Sequence, residues 1–481
     1  MNGRLIINIL ARLLLLEAVL LLPSLGVALY YGEGDAMAFV YTLLLVLAVS
    51  LPLMLLKPKN KDVRAKEGLV AVSLAWVLLS AFGALPFMIH GGIPRFIDAM
   101  FETVSGFTTT GASIVRVVED LPRGLLFWRS FTHWVGGMGV LILTLAIMPN
   151  LSGRGSVLAR AESPGPTFSK AAPKMRDTAR LMYAIYTVMT LIQLALMLVS
   201  GLPLYDALIH TLGTAGTGGF SNRNLSMGAY NNPWAEMITM AFMLLFGMNF
   251  VVYIRLLRGE GLKSFQSDEV KAYWLLAAAS MLFIALEILP EYGNFLTALR
   301  YSSFQVSSIM STTGYATTDF ALWPAFSHIL LLLLMLVGAC AGSTAGGIKV
   351  SRVVILGKAA NREIGQAAAP RKVRLLMMDK KQINEETLRS VLIFFFLYMA
   401  FLLLGTLVAS TDGHDFVTSF SAAASCLSNI GPGLGLVGPV GNFDVFSPHV
   451  KVILTFLMLA GRLEFIPLLT LFHRELWNKS H

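Results

Sequence analysis

The sequence predicts an all-α integral membrane protein: two extra N-terminal helices, then four units of a full helix, a half-length segment with a glycine-containing loop, and a second helix. Three observations predict it. The 481 residues are 56% hydrophobic and only 14% charged, against about 25% charged in ordinary globular domains, and mean hydropathy is +0.69. Ten apolar runs approach the roughly 20 residues that cross a bilayer core about 30 Å thick. Four of the connections between these runs repeat one pattern of Gly, Ser and Thr.

The composition excludes a disordered or fibrous chain, a disulfide framework and a soluble nucleic-acid binder. Cys340 and Cys426 lie in apolar or glycine-rich sequence with no Cys or His at ligand spacing, so they indicate neither zinc nor a redox compartment. The runs fall near 5–30, 38–56, 68–89, 125–148, 181–201, 235–256, 273–289, 329–342, 391–409 and 450–472. No small-residue cleavage pattern follows the first and a second run comes soon after, so the first reads as a retained helix rather than a signal peptide.

With ten spans, alternate connections face opposite sides, and the basic residues decide which is which. One set of connections, with both tails, holds 29 of the 37 Lys and Arg; the opposite set holds six, and Arg129 and Arg462 lie at or within spans. Both termini are therefore expected in the cytoplasm. The net charge of +9 is accounted for by orientation, and nucleic acid is not expected as a partner.

The outward connections align without gaps on one glycine. They read Glu102-Thr-Val-Ser-Gly-Phe-Thr-Thr-Thr-Gly111, His210-Thr-Leu-Gly-Thr-Ala-Gly-Thr-Gly-Gly219, Gln305-Val-Ser-Ser-Ile-Met-Ser-Thr-Thr-Gly314 and Ala422-Ala-Ala-Ser-Cys-Leu-Ser-Asn-Ile-Gly431. The segment before each loop, 96–107 in the first copy, is too short to cross, so it is expected to dip into the membrane and return. Irregular backbone at that depth is tolerated only where protein or a wet cavity satisfies it. Four copies around an axis form such a cavity, so the expected architecture is four pseudo-symmetric helix, re-entrant pore loop, helix repeats around one central pore. Glycine frees the backbone to turn its carbonyls inward, and rings of carbonyls replace an ion's hydration shell. The C-terminal ends of the short helices add cation-favouring potential, and no Lys or Arg occurs in any of the four copies. The alternative, that small residues only pack helices closely, is weakened by four copies in one register. The expected units are 1–66 for the extra helices, then pore repeats at 67–150, 178–258, 270–352 and 386–475.

These residues carry a family resemblance. Thr-Thr-Thr-Gly111-Ala-Ser, Thr-Gly-Gly219-Phe-Ser, Thr-Thr-Gly314-Tyr-Ala-Thr-Thr-Asp and Ser-Asn-Ile-Gly431-Pro-Gly-Leu-Gly, with Cys340-Ala-Gly-Ser-Thr-Ala-Gly-Gly-Ile-Lys349 and Gly461-Arg462-Leu-Glu464, resemble the large membrane subunit of the Trk, Ktr and HKT superfamily of potassium transporters. The likeness covers essentially the whole chain and is strongest to the Trk-type bacterial subunit with its two extra N-terminal helices. It implies potassium uptake across a bacterial cytoplasmic membrane. The K+-binding filter would be lined by Thr109, Thr110 and Gly111, by Thr217, Gly218 and Gly219, by Thr312, Thr313 and Gly314, and by Asn429, Ile430 and Gly431. Some members with Ser at the first filter glycine prefer sodium; Gly111 here favours potassium. It also implies a homodimer with one pore per protomer, and a cytosolic nucleotide-binding regulatory subunit, TrkA-like, as partner. No cofactor is expected beyond K+ as the transported ion, and no enzyme activity.

The eighth run is interrupted by Gly338, Gly342, Gly346 and Gly347. Each glycine costs about 1 kcal/mol against Ala within a helix, so local unwinding is expected. The plain alternative is a helix C-cap followed by a cytoplasmic loop. Likeness to the family's intramembrane loop shifts the expectation to a movable gate under the filter, formed by Gly338, Gly342, Ser343, Thr344, Gly346, Gly347 and Lys349. Arg462 lies within the last span, where an unpaired charge is costly and faces a bundle interior or a wet cavity. It is either half of a structural ion pair or, as the resemblance implies, a positive barrier in the pore. Glu464, two residues on, projects from another face.

Other signals carry less. Gly433-Leu-Gly435-Leu-Val-Gly438 has the letters of a dinucleotide fingerprint without the strand and helix that give it meaning. Asp319, Asp415 and Asp444 near the mouth are either cation attractors or solvated loop acids. His133 and His210 have no metal-ligand companions, and the basic stretch 352–389 reads as a cytoplasmic loop, with docking of a regulator as the other use. Among competing functions, sodium or unselective alkali-cation transport stays open. A membrane enzyme lacks a convergent catalytic set, and a scaffold leaves four registered loops unexplained.

Overall fold

The computed structural model describes residues 2–56, 65–139, 175–372 and 374–474. α1 (Gly3–Tyr31) and α2 (Ala36–Leu55) form a hairpin turned at Gly32, which takes a left-handed conformation. α1 packs on α3 (Ala65–Gly83) and on the helix Arg123–Gly137. α4 (Leu85–His90) extends α3, and the two together are long and apolar enough to cross a membrane. So are α1, α2, α7 (Met175–Val199), α11 (Asp268–Tyr292) and α15 (Glu385–Ala409).

A short helix follows the first helix of each repeat: α5 (Phe96–Phe107), α8 (Leu204–Gly216), α12 (Phe295–Met310) and α16 (Phe416–Ser428). Then come α6 (Arg123–Gly137), α9 (Pro233–Phe246), α13 (Ala325–Val337) and α17 (Pro448–Arg462). These second helices have 13 to 15 residues, about 20 to 23 Å at 1.5 Å per residue, short of a bilayer core.

Here the structure corrects the reading of ten spans. The eighth run was expected to be interrupted, but the sixth and tenth were expected to be continuous, and both are broken. α9 meets α10 (Phe250–Leu257) at a bend of 88°. α17 stops at Arg462, where Glu464 and Phe465 take positive φ, before α18 (Ile466–Thr470). The fourth run extends into 140–148, outside the described residues. The basic stretch after Lys349 is also more than a loop: α14 (Val350–Ala368) and a two-residue-strand hairpin, Met377–Met378 with Lys381–Gln382, precede α15.

Packing closes the repeats into a ring. The second helix of each repeat lies against the short helix of the next: α6 on α8, α9 on α12, α13 on α16, and α17 back on α5. One apolar core joins α1, α3, α5 and α6 to α15, α16 and α17, so the first and last repeats share a core. The four short helices therefore end around a common axis.

Candidate functional site

Each short helix ends in the same way. Thr109, Thr217, Thr312 and Asn429 take left-handed φ values of 56° to 57°. The N–H of each donates to the carbonyl three residues back, and the N–H of the following residue to the carbonyl five residues back: Thr110 to Ser105, Gly218 to Gly213, Thr313 to Ser308 and Ile430 to Ser425, at 2.8 to 3.0 Å. This is a Schellman C-cap, with the difference that Thr, not Gly, holds the left-handed position in three copies. A β-branched residue there is an outlier that neighbouring structure must hold in place.

The third residue of each loop, Gly111, Gly219, Gly314 and Gly431, again has positive φ, 74° to 106°. A Cβ on Gly111 would lie 1.9 Å from the Gly218 carbonyl oxygen; on Gly219, 2.0 Å from that of Thr313; on Gly314, 2.0 Å from that of Ile430; on Gly431, 2.8 Å from that of Thr110. Each glycine thus abuts the middle carbonyl of the next repeat, and the fourth returns to the first. The ring admits no side chain at Gly111, Gly219 or Gly314, and at Gly431 only if the facing backbone shifts. All four glycines line one cavity, and the hydroxyl of Thr109 and the amide oxygen of Asn429 are buried without a hydrogen-bond partner.

Beneath the tips, no helix runs between Val337 and Val350. The intervening loop is held from several sides. Cys340 N–H donates to the Gly247 carbonyl and Phe250 N–H to that of Gly342, both at 3.1 Å, tying it to the α9/α10 break. Ala341 N–H donates to Glu269 Oε1 at 2.6 Å, and Gly346 N–H to Thr312 Oγ1 at 2.8 Å. Ser343 Oγ caps the Cys340 carbonyl, Thr344 Oγ1 donates to the Phe246 carbonyl, and Lys349 Nζ folds back onto the Ala345 carbonyl. Gly338, Gly342 and Gly347 have φ of 69° to 77°.

Arg462 reaches this loop from α17, donating to the Thr344 carbonyl at 2.8 Å and to the carbonyls of Gly136 and Gly137. Glu464, in the break after α17, pairs with Arg352 on α14.

Around the rim, the three candidate acids divide. Asp319 and Asp415 cap helices, accepting from Ala321 N–H and Thr418 N–H. Asp444 pairs with Arg116 at 2.6 Å and Lys451 at 3.0 Å, and Lys451 also reaches Asp98 on α5 at 2.8 Å. Burial works against the Asp444 charge, but Lys451 and Arg116 outweigh it and hold the carboxyl below its usual range. His133 Nε2 accepts from Phe220 N–H, so Nδ1 carries the proton and donates to the Gly106 carbonyl. His210 donates to the Asp206 carbonyl and meets Ser221 Oγ. Both histidines join backbone segments, and no cluster able to hold a metal occurs among the described residues. No strand leads directly into Gly433, which follows α16; its N–H closes a turn onto Val437.

Sequence reasoning missed the buried pair of Glu102 and Arg129, the carboxylate of Glu269 on the loop, and the breaks at 247–249 and 463–465. The last had a visible signal in Gly247-Met-Asn249 and Gly461-Arg462-Leu-Glu464.

A model of the TrkH family, described as cation transport protein, matches residues 36–286 and 294–479. The chain belongs to this family. The Trk system potassium uptake protein TrkH of Salmonella typhimurium is 35% identical over 100% of both chains, and the Trk system potassium uptake protein TrkG of Escherichia coli is 33% identical over 99% of both. The crystal structure of the potassium transporter TrkH from Vibrio parahaemolyticus superposes with a TM-score of 0.88 at 32% identity, covering 99% of this chain and 100% of that one. A TrkH-family chain with this many apolar helices is a multi-pass membrane protein.

Proposed function

We propose that this protein carries potassium into the cell, across the bacterial cytoplasmic membrane, through the ring of four loop tips. One observation carries the proposal: each third-position glycine abuts the middle carbonyl of the next repeat, and the series closes on itself. A closed ring of oxygens replaces the hydration shell of a dehydrated cation. The negative ends of four short helices converge on it. Relatives named as potassium uptake proteins along the full length support potassium as the ion.

The filter is then Thr109 to Gly111, Thr217 to Gly219, Thr312 to Gly314 and Asn429 to Gly431. The 338–349 loop is the gate below it, and Arg462 is a positive barrier at the level of that gate. The mechanism is passage in single file: the ion sheds water at the mouth, is held by carbonyls, and leaves when the loop is displaced. A nucleotide-binding cytosolic subunit acting on the loop from the basic α14 side, a homodimeric assembly and cytoplasmic termini complete the proposal.

Flux of K+, Rb+ and Na+ into liposomes holding the purified protein, with Gly111→Ser alongside, tests it. K+ and Rb+ passage that loses discrimination in the variant is the expected result. Equal Na+ passage in the unaltered protein would move the assignment to unselective alkali-cation transport, and absence of flux with and without a regulatory partner would remove transport altogether.

A further inference from the structure

We propose that Arg129 is a positioning residue that fixes the gap between the first and second filter strands and thereby sets discrimination among alkali cations. The inference rests on the transport proposal above and deepens it. Arg129 on α6 and Glu102 on α5 form an ion pair at 2.7 Å, with side chains 2% and 0% exposed. It is the connections around the pair that point to function. Glu102 Oε1 accepts from Arg129 Nε at 2.8 Å and from Ser113 Oγ at 3.0 Å, and Oε2 accepts from Ile114 N–H at 2.9 Å. Ser113 and Ile114 leave the first filter strand immediately after Gly111 and Ala112. Arg129 Nη2 also donates to Ser113 Oγ at 3.1 Å, and its Nη1 to the Ser221 carbonyl at 3.2 Å, two residues beyond Gly219. The guanidinium lies 4.0 Å over the Phe220 ring.

One side chain thus holds the exits of two neighbouring strands. Four residues on, on the same face of α6, His133 makes a second crossing, from the Gly106 carbonyl of the first repeat to Phe220 N–H of the second. A planar guanidinium is suited to this task because its five donors are fixed in direction. A buried charge pair adds little to stability against apolar packing and in some proteins is kept for conformational specificity. Here the fixed quantity is the approach of Gly111 to the Gly218 carbonyl, 1.9 Å from where a Cβ would stand. A strand free to move outward there widens one wall of the ring, so ions keep part of their water as they pass and the preference for the more easily dehydrated ion is lost.

The test is the K+/Na+ permeability ratio in liposomes for the unaltered protein, Arg129→Lys, Glu102→Gln and Ser113→Ala, with K+-dependent protection against heating in detergent as a second readout. Arg129→Lys keeps the charge and loses the fork, and Ser113→Ala removes the hydroxyl that both partners share. We expect K+ flux to persist in these two while the ratio falls toward one and protection by K+ over Na+ shrinks. Glu102→Gln is expected to show the same change or fail to fold; in the latter case the two milder variants decide. An unaltered ratio and unaltered protection in both would overturn the positioning role. Absence of K+ flux in the unaltered protein would instead count against the transport proposal, leaving the cation-dependent protection of Arg129→Lys to judge the strut by itself.

Discussion

The backbone N–H of Gly346 donates to the Thr312 hydroxyl at 2.8 Å, so the loop below the ring hangs from the strand above it. On its other side Gly346 presses on the fourth repeat, where a Cβ would stand 2.0 Å from the Ser428 carbonyl oxygen. The loop therefore cannot accept even one methyl group at this residue and stay in place. Gly346→Ala is expected to displace the loop and raise K+ flux in the absence of any partner. The lost hydrogen bond alone is worth about 1 kcal/mol, or roughly a fivefold change, and the steric clash adds to it. Liposome flux at matched protein content measures this; a normal or reduced flux would mean that the loop is not the closed element.

Arg462 makes a related prediction of different physical origin. Its guanidinium donates to backbone carbonyls of the loop and of α6, which hold a positive charge beside the loop. A cation passing about 6 Å from a unit positive charge meets roughly 3 kcal/mol of opposition at an effective dielectric of about 20. Arg462→Ala is therefore expected to raise flux by up to about a hundredfold. Arg462→Lys keeps the charge but cannot span three carbonyls at once, and it is expected to fall between the two. Flux unchanged in Arg462→Ala at equal incorporation would leave the residue a purely structural tie.

Much of this site was legible in sequence because its chemistry is local. The four glycines declare themselves by shared register, since a positive φ and the approach of a neighbouring carbonyl both forbid a side chain at Gly111, Gly219 and Gly314. Gly338, Gly342, Gly346 and Gly347 likewise announce an unwound segment. What stayed hidden depends on contacts between distant segments. Gly247 and Asn249 mark only a weak point in an apolar run that reads as one helix, and the size of the bend is fixed by Phe250 N–H bonding to Gly342 and Cys340 N–H to Gly247, about ninety residues apart in the chain. Glu102 and Arg129 sit 27 positions apart on different helices, where no periodicity links them. Residue type alone suggested that Asp319, Asp415 and Asp444 were equivalent, whereas partners distinguish them.

Asp444 gives the protein a predictable pH dependence. Its carboxyl is held below the ordinary value of about 3.9, so the native state favours the charged form. The stabilisation it brings is fully present above the unfolded value and is lost as pH falls through the lower, folded one. Thermal stability in detergent should then be insensitive to this group from neutral pH down to about 5, and should decline below about pH 4 as Arg116 and Lys451 lose their shared partner. Asp444→Asn is expected to lower the melting temperature at pH 7 and to flatten the acid limb. An acid limb as steep as that of the unaltered protein would assign acid sensitivity to other carboxyls.

The ring is uneven, and the unevenness ranks its own substitutions. Gly111, Gly219 and Gly314 each leave 1.9 to 2.0 Å between a would-be Cβ and the facing carbonyl oxygen, while Gly431 leaves 2.8 Å to that of Thr110. A non-glycine residue at positive φ costs about 1 to 3 kcal/mol at any of the four, so that part is common to all. The clash is not: the backbone of the next strand must move at all four, by about an ångström at the first three but by only a few tenths of an ångström at Gly431. Alanine at Gly111, Gly219 or Gly314 is expected to abolish K+ selectivity or folding, and Gly431→Ala to keep measurable K+ flux with a reduced K+/Na+ ratio. Parallel flux measurements on the four variants decide it. Equal loss at all four would mean that dihedral strain, not carbonyl contact, limits the filter, and a Gly431 variant worse than the others would contradict the ring geometry itself.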